Sequence, residues 1–303
     1  MMVDIILINY NSTIQLLQCL VSIYRHIDDD VKAIYIIDNN SSDAAVQLLT
    51  DLPKVNLTVL PRNIGFASAV NIGIKKSSSP YTMLLNPDTS FNMDIIGPMV
   101  AYLNDHERVG IIGPKILNYD GSIQGSARSF PSFFTGLFGR TSLFSRIFPK
   151  NRMTKKNIIT MPDTIETTFV DWVSGACMLI RRKAIEEVGG LDERFFMYWE
   201  DADWCKRMWK KRWGVVYYQK ASIYHSVGQS SRSKPIRPIW EFHKSAYRLY
   251  EKYARGMEVI LQPFVFLALA MRFYLLAFKG ILDFNYRKLS VISKCEEWRR
   301  SEK

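Results

Sequence analysis

Cysteine is scarce in this 303-residue chain, and its four cysteines form no paired motif. Disulfide-rich secreted scaffolds and zinc modules need cysteines at short, regular spacings such as CxxC, and no CxxC occurs here. A disulfide framework and a structural zinc site are therefore not expected, and a reducing cytoplasm fits the sequence. The four positions are Cys19, Cys177, Cys205 and Cys295.

The first residues lack the pattern of a secretory signal peptide. Residues 1–13, MMVDIILINYNST, have no basic segment, and Asp4 precedes only a short apolar run. A signal peptide combines a positively charged start with a longer apolar stretch. We expect this segment to form a first buried strand instead.

Acidic residues are outnumbered, with 29 Asp and Glu against 40 Lys and Arg and a formal net charge of +11. Residues 128–156 hold seven Lys or Arg and no acid. From Lys206 onward there are 21 cations against seven acids. This asymmetry indicates a polyanionic partner, such as membrane headgroups, nucleic acid or phosphorylated substrates, unless the charge only aids solubility.

Apolar residues make up 48% of the chain, which excludes a disordered protein and allows one large α/β domain with an appendage, or two small domains. Short apolar runs alternate with helical patterns along the first 90 residues. This alternation predicts βαβ units and a Rossmann-like, mainly parallel sheet flanked by helices. The strand-like runs are 3–9, 33–38, 56–60 and 81–86, and the helical patterns are 13–26, 44–52 and 67–76.

Polar residues follow each predicted strand. Each group alone could be a turn or a helix cap. All four together are expected at the carboxyl ends of parallel strands, where α/β proteins bind ligands. The sequence therefore predicts a ligand crevice at this edge. The groups are Asn9-Tyr10-Asn11, residues 38–43, the run PRNIGFASAVNIG at 61–73 and Asn86-Pro87-Asp88.

Three carboxylates, Glu200, Asp201 and Asp203, lie within four residues at the start of a helical pattern. A helix cap and the helix dipole explain one acid there. Mutual repulsion and the aromatic neighbours should raise the pKa of at least one of them. A carboxylate with a raised pKa can serve as a general base.

Asp88 follows an apolar strand and could hold a divalent cation against a diphosphate. Mg²⁺ and Mn²⁺ need few protein ligands when phosphates and water supply the others. His225, at the end of the strand-like run 214–225, is a second candidate ligand. A lone histidine is more often an ordinary surface or core residue.

Two further segments have the composition of membrane-surface elements. In residues 128–156 six Phe alternate with cations, which favours an interfacial segment over a loop packed on the domain. After a linker-like stretch at 229–238, the run 257–282 is strongly apolar but contains Arg272 and Lys279. We favour a helix that lies on the membrane, or packs on the body of the protein, over one that spans the bilayer.

In this order and spacing, six segments resemble the inverting glycosyltransferases of family 2, and among them the bacterial rhamnosyltransferase-like branch that builds O-antigen and cell-wall polysaccharide. The resemblance covers about residues 3–231. It implies a GT-A fold for 1–231, with a basic Phe-rich membrane or acceptor loop at 128–160, and a helical, membrane-associating region at 232–303. The segments are INYNS, IIDNNSSD, RNIGFASAVNIGI, LLNPDT, DWVSGACMLIRRKAIEEVGGLDERFFMYWEDADWCKR and YHSVGQSS.

The resemblance also implies roles for individual residues. Asp201 would be the catalytic base with Glu200 supporting it, and Asp88 and His225 would bind Mg²⁺ or Mn²⁺. The metal element here reads Asn86-Pro87-Asp88, so it retains a single carboxylate. Asp38 would hydrogen-bond the pyrimidine base. The implied sugar and acceptor residues are Trp172, Ser174, Gly175 and Asp203. The implied donor-site residues are Asn9, Tyr10, Asn11, Asp38, Asn40, Ser42, Arg62, Asn63, Gly65, Phe66, Asn71 and Asn86.

By the same resemblance, the chain would move L-rhamnose from dTDP-L-rhamnose, with inversion, onto a polyprenyl-diphosphate-linked saccharide at the cytoplasmic face of the cell membrane. A UDP-sugar donor and a non-catalytic, membrane-bound scaffold are the alternatives, and a homodimer is left open. A nucleotidyltransferase would need a Gly-rich loop with Arg and Lys, which INYNSTIQ lacks. A nucleic-acid binder is not expected, because the cations are interleaved with Phe and Leu and no nucleic-acid motif is recognised.

Overall fold

The computed structural model describes residues 2–130, 167–226 and 236–280. The chain divides into two compact units, Met1–Ser230 and Ser231–Lys303. Most of the predicted Phe-rich loop and the linker-like stretch lie outside the described residues, as does Cys295.

Eleven strands occur in the described part of the first unit, and nine of them form one mixed sheet. The spatial order of its main path is β3-β2-β1-β4-β10-β6-β11-β5, and β8 pairs with β11. In chain order the strands are β1 Val3–Asn9, β2 Val31–Asp38, β3 Val55–Val59, β4 Tyr81–Leu85, β5 Thr89–Ser90, β6 Val109–Leu117, β7 Ala127–Arg128, β8 Thr168–Phe169, β9 Trp172–Val173, β10 Cys177–Arg181 and β11 Gly214–His225.

The first four strands of the sheet are parallel, as the strand–helix alternation predicts. Strand β10 runs antiparallel to both β4 and β6, and β11 returns parallel to β6. Strands β7 and β9 pair with each other in a small separate sheet. The result is a mainly parallel sheet in which β10 is reversed near the centre and the short strands β5 and β8 are reversed beside β11.

Helices cover this sheet: α1 Thr13–His26, α2 Phe66–Lys76, α3 Ile96–Asp105, α4 Arg182–Val188 and α5 Glu200–Lys210. The helices predicted at 13–26 and 67–76 are confirmed. The pattern at 44–52 instead gives a 3-10 helix at Ala44–Leu49, closed by a Thr50 N–H to Gln47 C=O bond of 3.4 Å. So short a run, ended by Pro53, does not offset the cost of nucleating an α-helix.

The core explains why β1 is a nearly unbroken apolar run. All seven of its residues are buried, which is typical of a strand covered on both faces. Its one charged residue, Asp4, accepts hydrogen bonds from the backbone N–H groups of Ser78 and Ser79 at 2.7 and 2.9 Å. Within the described residues Cys19, Cys177 and Cys205 are buried free thiols, as expected for a chain without a disulfide framework.

The second unit contains α6 Ile236–Tyr253, α7 Met257–Ile260 and α8 Gln262–Gly280. Aromatic contacts join α6 to α8, with Trp240 and Phe273 ring centroids 5.3 Å apart. Among the described residues α8 is the one helix long and apolar enough to cross a membrane, with a mean hydropathy of 1.5. Core helices of soluble proteins can meet the same criterion, but only 6% of this window is buried.

Candidate active site

A buried hydrogen-bond network lies where β1 and β2 end side by side, with Asn9 paired to Asp38 in the register. The Asn9 Nδ2 lies 2.8 Å from Asp38 Oδ2 and 2.9 Å from Thr13 Oγ1. Its Oδ1 accepts a bond of 3.0 Å from the Ser12 hydroxyl. The Asn9 amide is therefore held from several sides, and it fixes one oxygen of the Asp38 carboxylate.

Asp38 organises the loop that follows β2. Its Oδ1 accepts the Ser41 N–H at 2.9 Å, and only 1% of the residue is exposed. The loop is tied back to Asn11, whose Oδ1 accepts the Ser42 N–H at 2.7 Å. Asn11 and Asn40 have φ angles of 53° and 66°, a left-handed conformation that asparagine tolerates.

The structure thus brings together Asn9, Asn11, Asp38, Asn40 and Ser42, as the sequence predicts. Asp38, however, is buried and both of its oxygens are bonded within the protein. The exposed groups of this edge are Tyr10, Asn11, Asn40 and Ser42.

Asn39 belongs to the polar group 38–43, but the sequence pattern does not distinguish its structural role. It is buried, its Nδ2 donates to the Gly65 carbonyl at 3.1 Å, and its Oδ1 accepts the Ile64 N–H at 2.9 Å. Asn63 closes the same turn by accepting the Gly65 N–H at 2.9 Å. Asn39 therefore ties the end of β2 to the turn before α2.

Gly65 is required by its surroundings. Its φ is +91°, and a Cβ atom there would lie 2.7 Å from the Phe196 carbonyl oxygen. The next residue, Phe66, donates its N–H to that same oxygen at 2.6 Å. The start of α2 is thus joined directly to the segment that precedes the acid cluster.

Asn71 makes a second contact between α2 and the segment that precedes the acid cluster. It does not take the predicted nucleotide-facing role. Its Nδ2 donates to the Leu191 carbonyl and to Glu193 Oε1, both at 2.9 Å, and its Oδ1 accepts the Leu191 N–H at 2.8 Å. All of these bonds run to residues 191–193, so the Asn71 carboxamide holds that segment against α2. Arg62, at the exposed start of the turn, remains open to solvent.

Asp88 and His225 are brought together, as the family resemblance implies. The Asp88 Oδ1 lies 3.2 Å from His225 Nε2, and the two side chains are 11% and 13% exposed. Asn86 Nδ2 lies 3.4 Å from the same nitrogen. Within the part of the chain that the structure describes, no group of three or more His, Cys, Asp or Glu could hold a metal ion. One carboxylate oxygen and one imidazole nitrogen fit Mg²⁺ or Mn²⁺ only if phosphate and water complete the coordination.

Glu200 and Asp201 begin α5 and differ in how their oxygens are satisfied. Asp201 accepts the Gly175 N–H on Oδ2 at 3.0 Å and the Ala202 N–H on Oδ1 at 2.8 Å. Glu200 is buried, and among the described residues its Oε2 has no hydrogen-bond partner. The two carboxyl groups therefore have unequal support for a negative charge.

This difference affects the pKa of each member of the pair. Burial, followed by the charge of Asp201, raises the pKa of Glu200 well above its usual range. Burial also raises the pKa of Asp201, but the Gly175 and Ala202 N–H groups and the Arg128 charge oppose that rise. Asp201 is consequently the better stabilised of the two as the negatively charged member of the pair.

Asp203 corrects the sequence-based assignment of all three acids to the site. It is 0% exposed, and its Oδ2 accepts the Arg207 Nε–H at 2.8 Å. Arg207 also donates to the carbonyls of Val188 and Gly190 at 3.0 and 2.7 Å. The Asp203–Arg207 pair thus joins α5 to the end of α4, and Asp203 cannot contact an acceptor sugar because it is buried.

The backbone before α5 is unusual. Tyr198 and Trp199 have φ angles of 70° and 69°, and neither is glycine. Each left-handed residue of this size costs about 1–2 kcal/mol. The turn directs the chain so that Trp199 lies beside Trp172, with ring centroids 6.1 Å apart.

Three residues are predicted for the acceptor side. Trp172 lies in β9, and Ser174 and Gly175 come directly after that strand. Ser174 donates its N–H to the Ser126 carbonyl at 2.9 Å, and Gly175 contacts Asp201 as described. Arg128 was counted at the sequence level only as one cation of the basic segment. Its guanidinium carbon lies 5.0 Å from the centroid of Trp172, and its Nε donates to the Gly125 carbonyl at 2.7 Å. It supplies a positive charge close to Asp201.

Residues 4–189 match the family described as Glycosyl transferase family 2. An N-acetylglucosaminyl-diphospho-decaprenol L-rhamnosyltransferase of Mycobacterium tuberculosis (strain ATCC 25618 / H37Rv) is 30% identical over 273 residues, which are 86% of this chain and 88% of the relative. The dTDP-rhamnosyl transferase RfbF of Shigella flexneri is 24% identical over 231 residues, 75% of this chain and 69% of the relative.

A solved structure has the same fold. The mannosyltransferase PcManGT from Pyrobaculum calidifontis, in complex with GDP-Man and Mn²⁺, aligns with a TM-score of 0.55 at 14% identity. The alignment covers 89% of this chain and 73% of that protein. The match in fold includes the mixed, mainly parallel sheet described above.

Proposed function

Because the chain belongs to glycosyl transferase family 2 and is a glycosyltransferase with the GT-A fold, we propose that it moves L-rhamnose from dTDP-L-rhamnose, with inversion, onto a hydroxyl of a polyprenyl-diphosphate-linked saccharide. Two relatives support this choice. One is named as an L-rhamnosyltransferase acting on a decaprenol-diphosphate-linked sugar, and the other as a dTDP-rhamnosyl transferase. The product would enter cell-wall polysaccharide or O-antigen.

The donor nucleotide is proposed to bind along the carboxyl ends of β1 and β2. The buried Asn9–Asp38 network holds the following loop in one conformation. Because Asp38 is buried, we assign it the organisation of this loop, and we assign contact with the base to the exposed groups beside it, such as Tyr10 and Asn40. The Arg62 charge at the neighbouring turn faces the diphosphate in this proposal. A rigid recognition surface reduces the entropy that binding must overcome.

Asp201 is proposed to be the catalytic base, and the observation that carries this proposal is its asymmetry with Glu200. Its carboxylate is stabilised by the Gly175 and Ala202 N–H groups, whereas the pKa of its neighbour is raised well above the usual range. As the acceptor oxygen attacks the anomeric carbon, its proton passes to the Asp201 carboxylate. The bond from that carbon to the diphosphate oxygen breaks on the opposite face, so the configuration inverts.

Asp88 and His225 are proposed to hold Mg²⁺ or Mn²⁺, with Asn86 beside them. When bound, the ion neutralises the negative charge that develops on the diphosphate leaving group. The presence of Mn²⁺ in the PcManGT complex supports a divalent cation in this fold. The protein's own contribution is to hold one carboxylate and one imidazole 3.2 Å apart at the end of the crevice.

The second unit is proposed to hold the enzyme on the cytoplasmic face of the membrane, where a lipid-linked acceptor is found. On α8 six of the exposed apolar side chains recur at the spacing of one helix face, and the exposed Phe266 lies outside that spacing. Cations such as Arg255 and Lys279 flank this face and suit anionic headgroups. The face comprises Phe264, Leu267, Met271, Tyr274, Leu275 and Phe278.

The donor is tested by calorimetry with dTDP-L-rhamnose, other nucleotide sugars and the free diphosphates, each with and without Mn²⁺. The proposal expects Mn²⁺-dependent binding that is tightest for dTDP-L-rhamnose. Tighter binding of a UDP-sugar would keep the reaction and change the donor. A folded protein that bound none of them would favour the scaffold alternative.

Membrane attachment is tested by co-sedimentation with vesicles containing phosphatidylglycerol. The double variant F264E/L267E should weaken binding by at least about tenfold, since two exposed apolar side chains that are proposed to enter the membrane interface become charged. The matched control E251Q changes an exposed residue of α6 and should bind like the wild type. Equal sedimentation of F264E/L267E and the control would contradict the proposed role of α8.

A further inference from the structure

Gln124 lies beside the proposed metal pair and is anchored by its backbone. Its N–H donates to the Ile116 carbonyl at 2.8 Å, next to the bridge between Leu117 and Ile123. Its side chain reaches His225, 101 residues further along the chain.

The neighbours of Gln124 determine which end of its amide is nitrogen. The Nε2 lies 2.6 Å from the His225 backbone carbonyl and 2.8 Å from Asn118 Oδ1. A carbonyl oxygen can only accept a hydrogen bond, so the Gln124 nitrogen must face it. The Oε1 then faces His225 Nδ1 at 3.1 Å and can only accept from it.

The orientation of Asn118 is fixed in the same way. Its Nδ2 donates to Ser122 Oγ at 2.7 Å, and the Ser122 hydroxyl donates to Asp120 Oδ1 at 2.6 Å. The Asp120 carboxylate accepts and cannot donate when it is ionised. Hydrogen bonds from Ser122 lower the pKa of Asp120, which favours the ionised form. A chain of bonds with a single direction therefore runs from His225 to Asp120.

We propose that Gln124 is a positioning residue for the metal site, holding the imidazole proton of His225 on Nδ1 so that the Nε2 lone pair faces Asp88. This inference rests on the proposed function, because it assigns the Nε2 lone pair to the Mg²⁺ or Mn²⁺ that accompanies the nucleotide. A neutral imidazole binds a divalent ion through the nitrogen that carries no proton. A partner on the other nitrogen both orients the ring and selects the tautomer.

The tautomer can be read without turnover from the nitrogen-15 chemical shifts of the neutral histidine rings in the metal-free protein. In the wild type His225 should show a protonated Nδ1. In Gln124→Met, which keeps the side-chain length but has no amide, His225 should shift toward the Nε2-protonated form, because the Asp88 carboxylate 3.2 Å from Nε2 then competes for the ring proton without opposition from Gln124. His106, whose Nδ1 lies 2.9 Å from the Tyr102 carbonyl, provides an internal reference that should not change.

Gln124→Glu is the matching rescue variant. Its carboxylate can still accept from Nδ1, so the His225 signal should retain the wild-type pattern. This result separates the tautomer from general loss of folding, because Gln124→Glu gives up the bonds to Asn118 and the His225 carbonyl. If Gln124→Met and the wild type showed the same His225 tautomer, the inference would be overturned.

Ion binding gives a second readout. Mn²⁺ titrated in the presence of dTDP should bind Gln124→Met about 10-fold to 100-fold more weakly than the wild type. Ser122→Ala, at the far end of the chain of bonds, should change this affinity by less than about 3-fold. A wild type that bound neither Mn²⁺ nor dTDP would refute the proposed function, and this inference with it. Wild-type affinity in Gln124→Met would refute this inference alone.

Discussion

Two regions differ in the hydrogen bonding of their buried polar groups: the ends of β1 and β2, and the start of α5. At the strand ends Asn9, Asp38 and Asn39 are each bonded to neighbouring protein groups. At the helix start the Glu200 Oε2 has no partner among the described residues, and Trp199 before it is left-handed. The first region is fully satisfied, whereas the second retains unfavourable energy.

This difference matches the two tasks proposed for the enzyme. Binding of a nucleotide benefits from a surface that is already in its bound conformation. Proton transfer needs a carboxylate whose pKa is shifted by burial and a neighbouring acid. The stability provided by the satisfied region allows the strained region to persist.

The largest effect is expected for Asp201→Asn. Removing the general base should lower the transfer rate about 10³-fold, because general base catalysis contributes about 10²–10⁴-fold. Donor affinity by calorimetry should remain at the wild-type value. Transfer at the normal rate would show that another group takes the proton.

Asp203→Ala changes an acid two residues after Asp201 that is expected to contribute to stability and not to catalysis. It leaves Arg207 without its carboxylate, so the free energy of unfolding should fall by about 3 kcal/mol in urea denaturation. The rate per folded molecule should stay close to that of the wild type. A loss of transfer rate without a loss of stability would indicate that Asp203 does act in the acceptor site.

Asn9→Ala should disrupt the hydrogen-bond network at the ends of β1 and β2. It removes the donor to the buried Asp38 carboxylate and should lower the free energy of unfolding by about 2–3 kcal/mol. Nucleotide binding should weaken as the loop after β2 is released. Asn56→Ala, an exposed position on β3, is the matched control and should remain within about 0.5 kcal/mol.

Gly65→Ala tests the joint between the two regions, with an expected loss of about 2 kcal/mol from the positive φ and the clash with Phe196. Gly189→Ala is the matched control, since its φ is +84° and nothing lies within 4 Å of its added Cβ. It should lose about 1 kcal/mol from backbone strain alone. Equal losses in the two variants, by thermal unfolding, would argue against the steric contact.

The effect of the last variant, Glu200→Gln, depends on pH. The pKa of Glu200 is raised in the folded protein, so its burial favours folding below its ordinary pKa of 4.5, and that contribution is lost as pH rises toward the folded value. Gln does not ionise. The melting temperature of the variant relative to the wild type should therefore increase from pH 4.5 toward neutral pH. A difference that did not change with pH would mean that Glu200 titrates normally.

Periodicity and strand-end chemistry were sufficient to predict the parallel half of the sheet and helices α1 and α2, whereas the pairing of Asp88 with His225 was implied by the family resemblance. The sheet and helix predictions depend on local patterns and on the rule that parallel strands end at one edge. The structural roles of Asp203 and Asn71 depend on partners that lie far away or across a helix turn. Nothing in the spacing of the acids distinguishes an ion pair with Arg207 from a site facing substrate.

Gln124 and Arg128 show a second limit of sequence reasoning. Their side chains act through His225 and Asp201, 101 and 73 positions later in the chain. Gln124 lies in no segment with a recognisable pattern, and the basic, Phe-rich pattern that begins at Arg128 predicts a different role. Contacts of this kind depend on how the strands pair in the folded sheet. The whole sequence determines that pairing, and no local segment encodes it.

The contact between Gly65 and Phe196 has a consequence for the order of folding. The turn before α2 is completed by a carbonyl 131 positions after Gly65, and α2 is held further along by Leu191. Contacts between such distant positions close slowly, and during synthesis they wait for the later segment to leave the ribosome. We therefore expect the nucleotide side to remain open on the nascent chain until residue 196 has emerged, and the two halves to become ordered in a single late step.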